Sequence, residues 1–329
     1  MSMTETIAGH GPLIARHAGG LIWLARYMER IENLARLLDV TKTYARDGGD
    51  ERTWLAILRI NGDEPGFFAA HAVADAESVA RFYLLDADTP SSVQSAIRAA
   101  RENARTLRAL ISTEMWLQIN VFHGHIAALC EADIAADRLS VVCAMLKEGT
   151  QAHTGITEGT FYRDQCWHFY MLGRHIERAD QTTRLLDTRF NAMASEGVTA
   201  GRAHADGEID AGNWMTLLRA ASGYHAYRRE HPHGYRAEEV AAFLLKNGAF
   251  PRSVWLNLSQ VEWHLAQLRS RYHLRGVARP MERMDNLLAM LASQTVREII
   301  ARGLSPFLDW MQSEIAGLQH DISVGLCGA

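Results

Sequence analysis

The chain has little of what marks the specialised protein classes. Its four cysteines (Cys130, Cys143, Cys166, Cys327) stand far apart among 329 residues and without CxxC spacing, which reads as reduced thiols in a cytoplasmic protein. No apolar run reaches the ~20 residues that a bilayer-crossing helix needs. Residues 1–20 show no cationic start followed by an apolar stretch, so no signal peptide is read there. A formal net charge of −4 gives no general attraction to nucleic acid or to an anionic membrane. No block of alternating Val, Ile and Thr lies between hairpin turns, so no strand is expected. GxxxxGK[ST], GxGxxG and GxSxG are all missing, which leaves nucleotide hydrolysis, dinucleotide binding and hydrolase chemistry without support. The 15 histidines come without HExxH or Cys/His ligand spacing. His123 and His125 point to different sides of a helix, and His231-Pro-His233 stands in a loop. No metal and no cofactor is expected.

What the chain does have, it has twice. Leu24-Ala-Arg-Tyr-Met-Glu-Arg-Ile-Glu-Asn-Leu-Ala-Arg-Leu-Leu-Asp39 returns as Leu172-Gly-Arg-His-Ile-Glu-Arg-Ala-Asp-Gln-Thr-Thr-Arg-Leu-Leu-Asp187. Laid over each other without a gap, Arg26 meets Arg174, Glu29 meets Glu177, Arg30 meets Arg178, and Arg36 meets Arg184. Glu32 faces Asp180 and Asn33 faces Gln181, changing size but not chemistry. The apolar positions drift instead: Tyr27 becomes His175, Ile31 becomes Ala179 and Leu34 becomes Thr182. Related amphipathic helices usually keep their core face and let charges wander; these keep the charges.

Two further anchors follow in order. Trp54-Leu-Ala-Ile-Leu-Arg59 returns as Trp214-Met-Thr-Leu-Leu-Arg219, and Phe82 with Pro90-Ser-Ser-Val93 returns as Phe243 with Pro251-Arg-Ser-Val254. The extra length of the second copy falls in residues 192–213, rich in Gly, Ala and acidic residues, which read as a long exposed loop. Ordered anchors with one loop absorbing the difference mark an internal repeat. The expected fold is an all-α helical bundle of two related halves, about 20–125 and 165–275, in a pseudo-twofold arrangement. Residues 1–19 form an arm before a single domain over 20–329, and C-terminal helices occupy 280–320.

Periodicity places the first helix from Leu21 to about Tyr44, ended by Asp47-Gly-Gly-Asp50. A second runs from about Glu51, and Phe67–Leu85 is helical in part. One long helix is expected from a cap at Ser91 or Ser92 to about His123. The next, from Ala132, stops at Glu148-Gly-Thr150. Residues 155–160 form a loop from which Thr160 caps the helix of the second motif. Helices resume near Trp214, Ala237, Arg252 and Met281, and Gly303-Leu-Ser-Pro306 breaks the chain before the last.

These motifs give the chain a resemblance to the alpha-E family, bacterial all-helical proteins named for their Glu-Arg motifs. Trp23–Arg36 looks like the family's first signature, and Ser95–Arg105 with Glu114-Met-Trp116 like its second. Leu172–Asp180 is similar to the third, and Pro251-Arg-Ser-Val254 to the fourth. Two departures are Ala25 where Gly is usual and Phe161-Tyr162 near a usual Thr-Met. Family members tend to be encoded beside, or fused to, ATP-grasp-type ligases and transglutaminase-like proteins. The resemblance therefore implies an accessory or binding component of an ATP-grasp-linked system that handles amide bonds of peptides.

Three readings of the Arg/Glu face stay open on sequence alone. It is a solvated surface of i,i+3 and i,i+4 pairs worth ~0.2–0.5 kcal/mol each, an internal ion-pair network that fixes the halves, or a ligand site. In the last, Arg26, Arg30, Arg174 and Arg178, with Asn33, grip a carboxylate or phosphate. Glu29 and Glu177 then orient the guanidinium groups or move protons as the catalytic candidates. Large apolar residues such as Trp23 and Ile22 lie among these charges, which argues against the solvated surface. Arg101 and Glu102, with Asn103, form a second charged cluster that the resemblance adds to the ligand-binding set. Two alternatives stand beside the accessory role: an enzyme acting itself on a peptide or amino-acid derivative, and a non-catalytic scaffold.

Overall fold

Two helices too long for any one layer to cover organise the molecule. The structure, a computed structural model, describes residues 15–46, 52–195 and 207–328. Helix α1 (Ala15–Arg46) and helix α8 (Gln165–Ser195) have 32 and 31 residues, or ~45–50 Å at 1.5 Å per residue. Around them come α2 (Arg52–Asn61), α3 (Glu64–Phe68), α4 (Ala76–Leu84), α5 (Val93–Thr106), α6 (Thr113–Ala127) and α7 (Leu139–Thr160). After α8 follow α9 (Gly207–Ala220), α10 (Tyr224–Glu230), α11 (Ala237–Lys246), α12 (Val254–Ser270), α13 (Ala278–Ser293), α14 (Val296–Arg302) and α15 (Leu304–Ile322). The described residues hold no strand, and no helix among them is long and apolar enough to cross a membrane.

α1 is walled by α5, α7, α8 and α9, and α8 by α1, α2, α12 and α15. A helix enclosed on several sides buries whatever its sequence carries. Leu21, Leu24, Met28, Ile31 and Leu38 are buried on α1, and so are Arg26, Glu29, Glu32 and Arg36. Uncompensated, those charges would cost several kcal/mol each, so each needs a partner: Glu32 and Arg36 have each other, and the other partners must come from the walls. The flanking helices are started by side chains. Ser92 Oγ accepts from Ser95 N to begin α5, and Ser253 Oγ accepts from Leu256 N to begin α12, both at 3.1 Å. α5 lies against α1, and α12 against α8.

Several boundaries differ from the sequence expectation. Residues 15–19 of the expected arm are helical; the rest of the arm, like Asp47-Gly-Gly-Asp50, lies outside the described residues. The helix expected from Ser92 to His123 is two, because the chain turns after Thr106 and Ser112 caps α6 by accepting from Met115 N. Leu107, Ile111 and Met115 are all buried, so the apolar rhythm runs on through the bend and hides it. α7 continues through Gly149 and through 155–160. Gly149 is a notch there, since a Cβ would come within 2.3 Å of the Phe122 ring. Asp164, not Thr160, serves the start of α8 by accepting from Cys166 N at 2.8 Å. Residues 192–195 and 207–213 of the expected loop are helical, as the ends of α8 and α9; the rest of it lies outside the described residues.

Candidate functional site

α1 and α8 run side by side in the same direction. Ile22 meets Gly173, Arg26 meets Glu177, and Asn33 with Leu37 faces Gln181 with Leu185 across one small cavity. The approach is closest at Gly173, where a Cβ would stand 2.2 Å from the Ile22 carbonyl oxygen. Only a residue without a side chain allows the two backbones to meet there.

The motif charges face each other across this seam, and each glutamate is held by the opposite helix. Arg26 Nε donates to Glu177 Oε2 and Arg30 Nε to Glu177 Oε1, both at 2.7 Å. In return Arg174 Nε donates to Glu29 Oε1 at 3.2 Å and Arg178 Nε to Glu29 Oε2 at 2.8 Å. Arg178 Nη2 also reaches Glu29 Oε1 at 2.8 Å, making a two-pronged contact. Glu177 is 0% and Glu29 4% exposed. Trp23, an apolar residue among the charges, lies under two arginines of its motif, 4.5 Å from the Arg26 guanidinium and 5.4 Å from that of Arg30.

Burial pushes the Glu29 carboxyl up, but Arg178, Arg252 and Arg174 outweigh it and hold the group down at about 2. Burial likewise raises Glu177, and Arg26 with Arg30 brings it below the usual carboxylate range. Both glutamates are thus weak bases with both oxygens occupied, suited to fixing guanidinium groups and poorly suited to taking a proton.

Asn33 joins the same region from a different side. Its Oδ1 accepts from Arg252 Nη1 at 2.7 Å, while Arg252 Nη2 pairs with Glu32 at 2.9 Å and lies 3.8 Å from Glu29. Glu32 is also bound by Arg36 of its own helix. Sequence reasoning left Arg252 out of the site although it stands in Pro251-Arg-Ser-Val254; its mismatch with Ser91 was the available signal. It also missed Glu158 of α7, which receives Arg174 Nη1 at 3.1 Å, and no motif marks that residue.

Arg101 and Glu102 belong to a separate cluster. Arg101 Nε donates to Asn120 Oδ1 at 2.8 Å and its guanidinium stacks on Trp116 at 5.8 Å, while Glu102 holds Arg105. Among the described residues no ion pair or hydrogen bond ties them to the α1–α8 seam. The contact of Arg101 with Trp116 joins the two parts of the second motif.

Behind the seam lies a set of buried neutral histidines. His175 Nδ1 meets Asn257 Oδ1 at 2.8 Å, His168 Nδ1 meets His264 Nδ1 at 2.9 Å, and His153 Nε2 meets Tyr170 Oη at 3.0 Å. Burial depresses His153, His168 and His175 to about 4 and His264 to about 2. Among the described residues no group of three His, Cys, Asp or Glu is placed to hold a metal ion.

An all-α fold whose two longest helices are joined by reciprocal Arg–Glu pairs defines a class of helical proteins built on an internal ion-pair seam. The chain belongs to the Alpha-E family, described as "a predicted alpha-helical domain with a conserved ER motif", which matches residues 13–324. It is similar to an uncharacterised protein of Mycobacterium bovis, 24% identical over 328 residues, covering 92% of this chain and 35% of the relative. An uncharacterised protein of Mycobacterium tuberculosis strain CDC 1551 gives the same values, and one from strain H37Rv is 23% identical over the same extent. The chain thus spans 35% of the length of these curated relatives. No solved structure matches it.

Proposed function

We propose that the chain is a non-catalytic binding module, the accessory component of an ATP-grasp-linked system that makes or breaks amide bonds on peptides. The observation that carries the non-catalytic part is the mutual consumption of the motif charges: Glu177 by Arg26 and Arg30, Glu29 by Arg174 and Arg178. Carboxylates used this way fix a scaffold, since neither keeps a free oxygen for a substrate. The same reading makes the two motifs products of a duplication related by a pseudo-twofold axis, which accounts for the exchange of partners across the seam. The relatives' greater length supports a module that works beside other domains. The association with an ATP-grasp-type ligase and a transglutaminase-like protein rests on the family resemblance.

Co-expression with a neighbouring ATP-grasp-type protein tests the reading. A stable complex, or stimulation of amide formation by the added module, is expected. Glu29→Gln and Arg178→Lys should lower the melting temperature and reduce activity only in step with the folded fraction. A variant that keeps its melting temperature while losing all stimulation would turn the seam back into a ligand site. Failure to detect either complex or stimulation sinks the accessory role.

A further inference from the structure

The two halves of the seam are not equally filled. Ser91 and Arg252 occupy the same place in their motifs, one residue ahead of Ser92 and Ser253, and those serines cap α5 and α12 by the same bond. Arg252 crosses to α1 and binds Glu32 and Asn33. Ser91 is turned the same way, toward Asp180 and Gln181 of α8, the counterparts of Glu32 and Asn33, but carries no cation. In its stead lies a cavity of about 180 Å³ lined by Ser91, Asp180, Gln181, Arg184, Arg30 and Asn33, among others.

Three observations mark this cavity as incomplete. Ser91 Oγ and Asn33 Nδ2 are buried without a hydrogen-bond partner. Asp180 has Arg184 Nε on its Oδ2 at 2.9 Å, and that arginine is 35% exposed, whereas Glu32 has both Arg36 and the buried Arg252. Burial pushes the Asp180 carboxyl above its usual range, and Arg184 offsets this only in part. The nearness of Arg30 and Arg184 does not bar another cation. Their counterparts Arg178 and Arg36 flank Arg252, which remains a cation in their company even though burial and both neighbours bring it down to about 10.

We propose that this cavity binds the guanidinium or primary ammonium group of a small ligand, with Asp180 as counter-ion and Ser91 Oγ as a second acceptor. The ligand's cation takes the place that Arg252 fills in the other half. Asn33 Nδ2 is left to donate to a carbonyl or carboxylate oxygen of the same molecule, so an amine- or guanidine-bearing amino-acid derivative fits better than a bare cation. This holds whichever partner the chain serves.

The test is isothermal titration of the full chain with agmatine, cadaverine and L-arginine amide, and with N-acetylglycine as the anionic comparison. The cationic probes should bind a single site, and Asp180→Asn should weaken them about tenfold or more. Ser91→Arg should abolish binding and raise the melting temperature, because it supplies the missing side chain from within. Should Asp180→Asn fail to fold, Ser91→Arg decides alone, since it fills the cavity and removes no charge. The proposal is overturned if no cationic probe binds the wild-type chain, if binding survives Ser91→Arg, or if only N-acetylglycine binds.

Discussion

Arg178 holds Glu29 with both prongs of its guanidinium, Nε on Oε2 and Nη2 on Oε1, each at 2.8 Å. The pair joins α8 to α1, and 149 residues separate its members. A contact of that sequence separation forms only when the two long helices are already together, so it reports on the assembled seam. Breaking one side of such a buried pair strands the other charge, which typically destabilises by ~3–5 kcal/mol. Glu29→Gln is expected to fall in that range by urea unfolding. Arg178→Lys, which keeps the charge and loses the fork, is expected to lose ~1–3 kcal/mol. A loss below ~1 kcal/mol for Glu29→Gln would mean that the pair does not lock the helices.

Gly173 offers a test of geometry without charge. Gly173→Ala puts a Cβ against the Ile22 carbonyl oxygen and must push α1 away from α8. Overpacking of this kind costs ~1–3 kcal/mol or more. Gly124→Ala in α6 meets nothing within 4 Å and should be neutral to stabilising by up to ~1 kcal/mol, because alanine is the better helix former. Equal unfolding midpoints for the two variants would contradict the close approach.

The buried histidines fix how stability varies with pH. His153, His168 and His175 titrate near 4 in the folded chain, against ~6.5 when unfolded. Between those values the unfolded chain binds more protons, so stability falls as pH falls. His264, depressed to about 2, acts in the same direction and extends the loss. Glu29, held at about 2, adds its own below ~4.5, and Glu177 reinforces it. Urea midpoints are therefore expected to drop steadily from pH 7 to pH 5, before ordinary carboxylates titrate, and to keep falling below that. A flat profile from pH 7 to pH 5 would contradict the neutral, buried state of these rings.

Ser112 separates α5 from α6 by accepting from Met115 N at 3.1 Å. Ser112→Ala should cost ~1 kcal/mol, the usual value of a lost N-cap. If the chain instead ran as one helix to His123, the same substitution would stabilise it slightly. Thermal unfolding distinguishes the two signs.

The seam was legible because its charges could be compared with themselves. Arg26, Glu29 and Arg30 match Arg174, Glu177 and Arg178 while the apolar neighbours change, and Trp23 stands where a solvated face would not put it. That much foretold an inward face. The α5–α6 bend was hidden because Leu107, Ile111 and Met115 keep helical spacing while serving two helices. α7 was misread at Gly149, whose role is to admit the Phe122 ring rather than to end a helix. Glu158 carries no motif at all; it reaches Arg174 only because α7 and α8 follow one another through a tight turn.

The exchange of partners across the seam has a consequence for how the chain can be divided. The arginines that hold Glu29 all lie after residue 170, and the arginines that hold Glu177 all lie before residue 31. A fragment ending after α7 would therefore carry a glutamate stripped of its cations and two arginines stripped of their anion. Its one internal remedy is a second copy of the same fragment, whose Arg26 and Arg30 sit at the positions of Arg174 and Arg178. Cut in the middle, this protein is expected to seek itself.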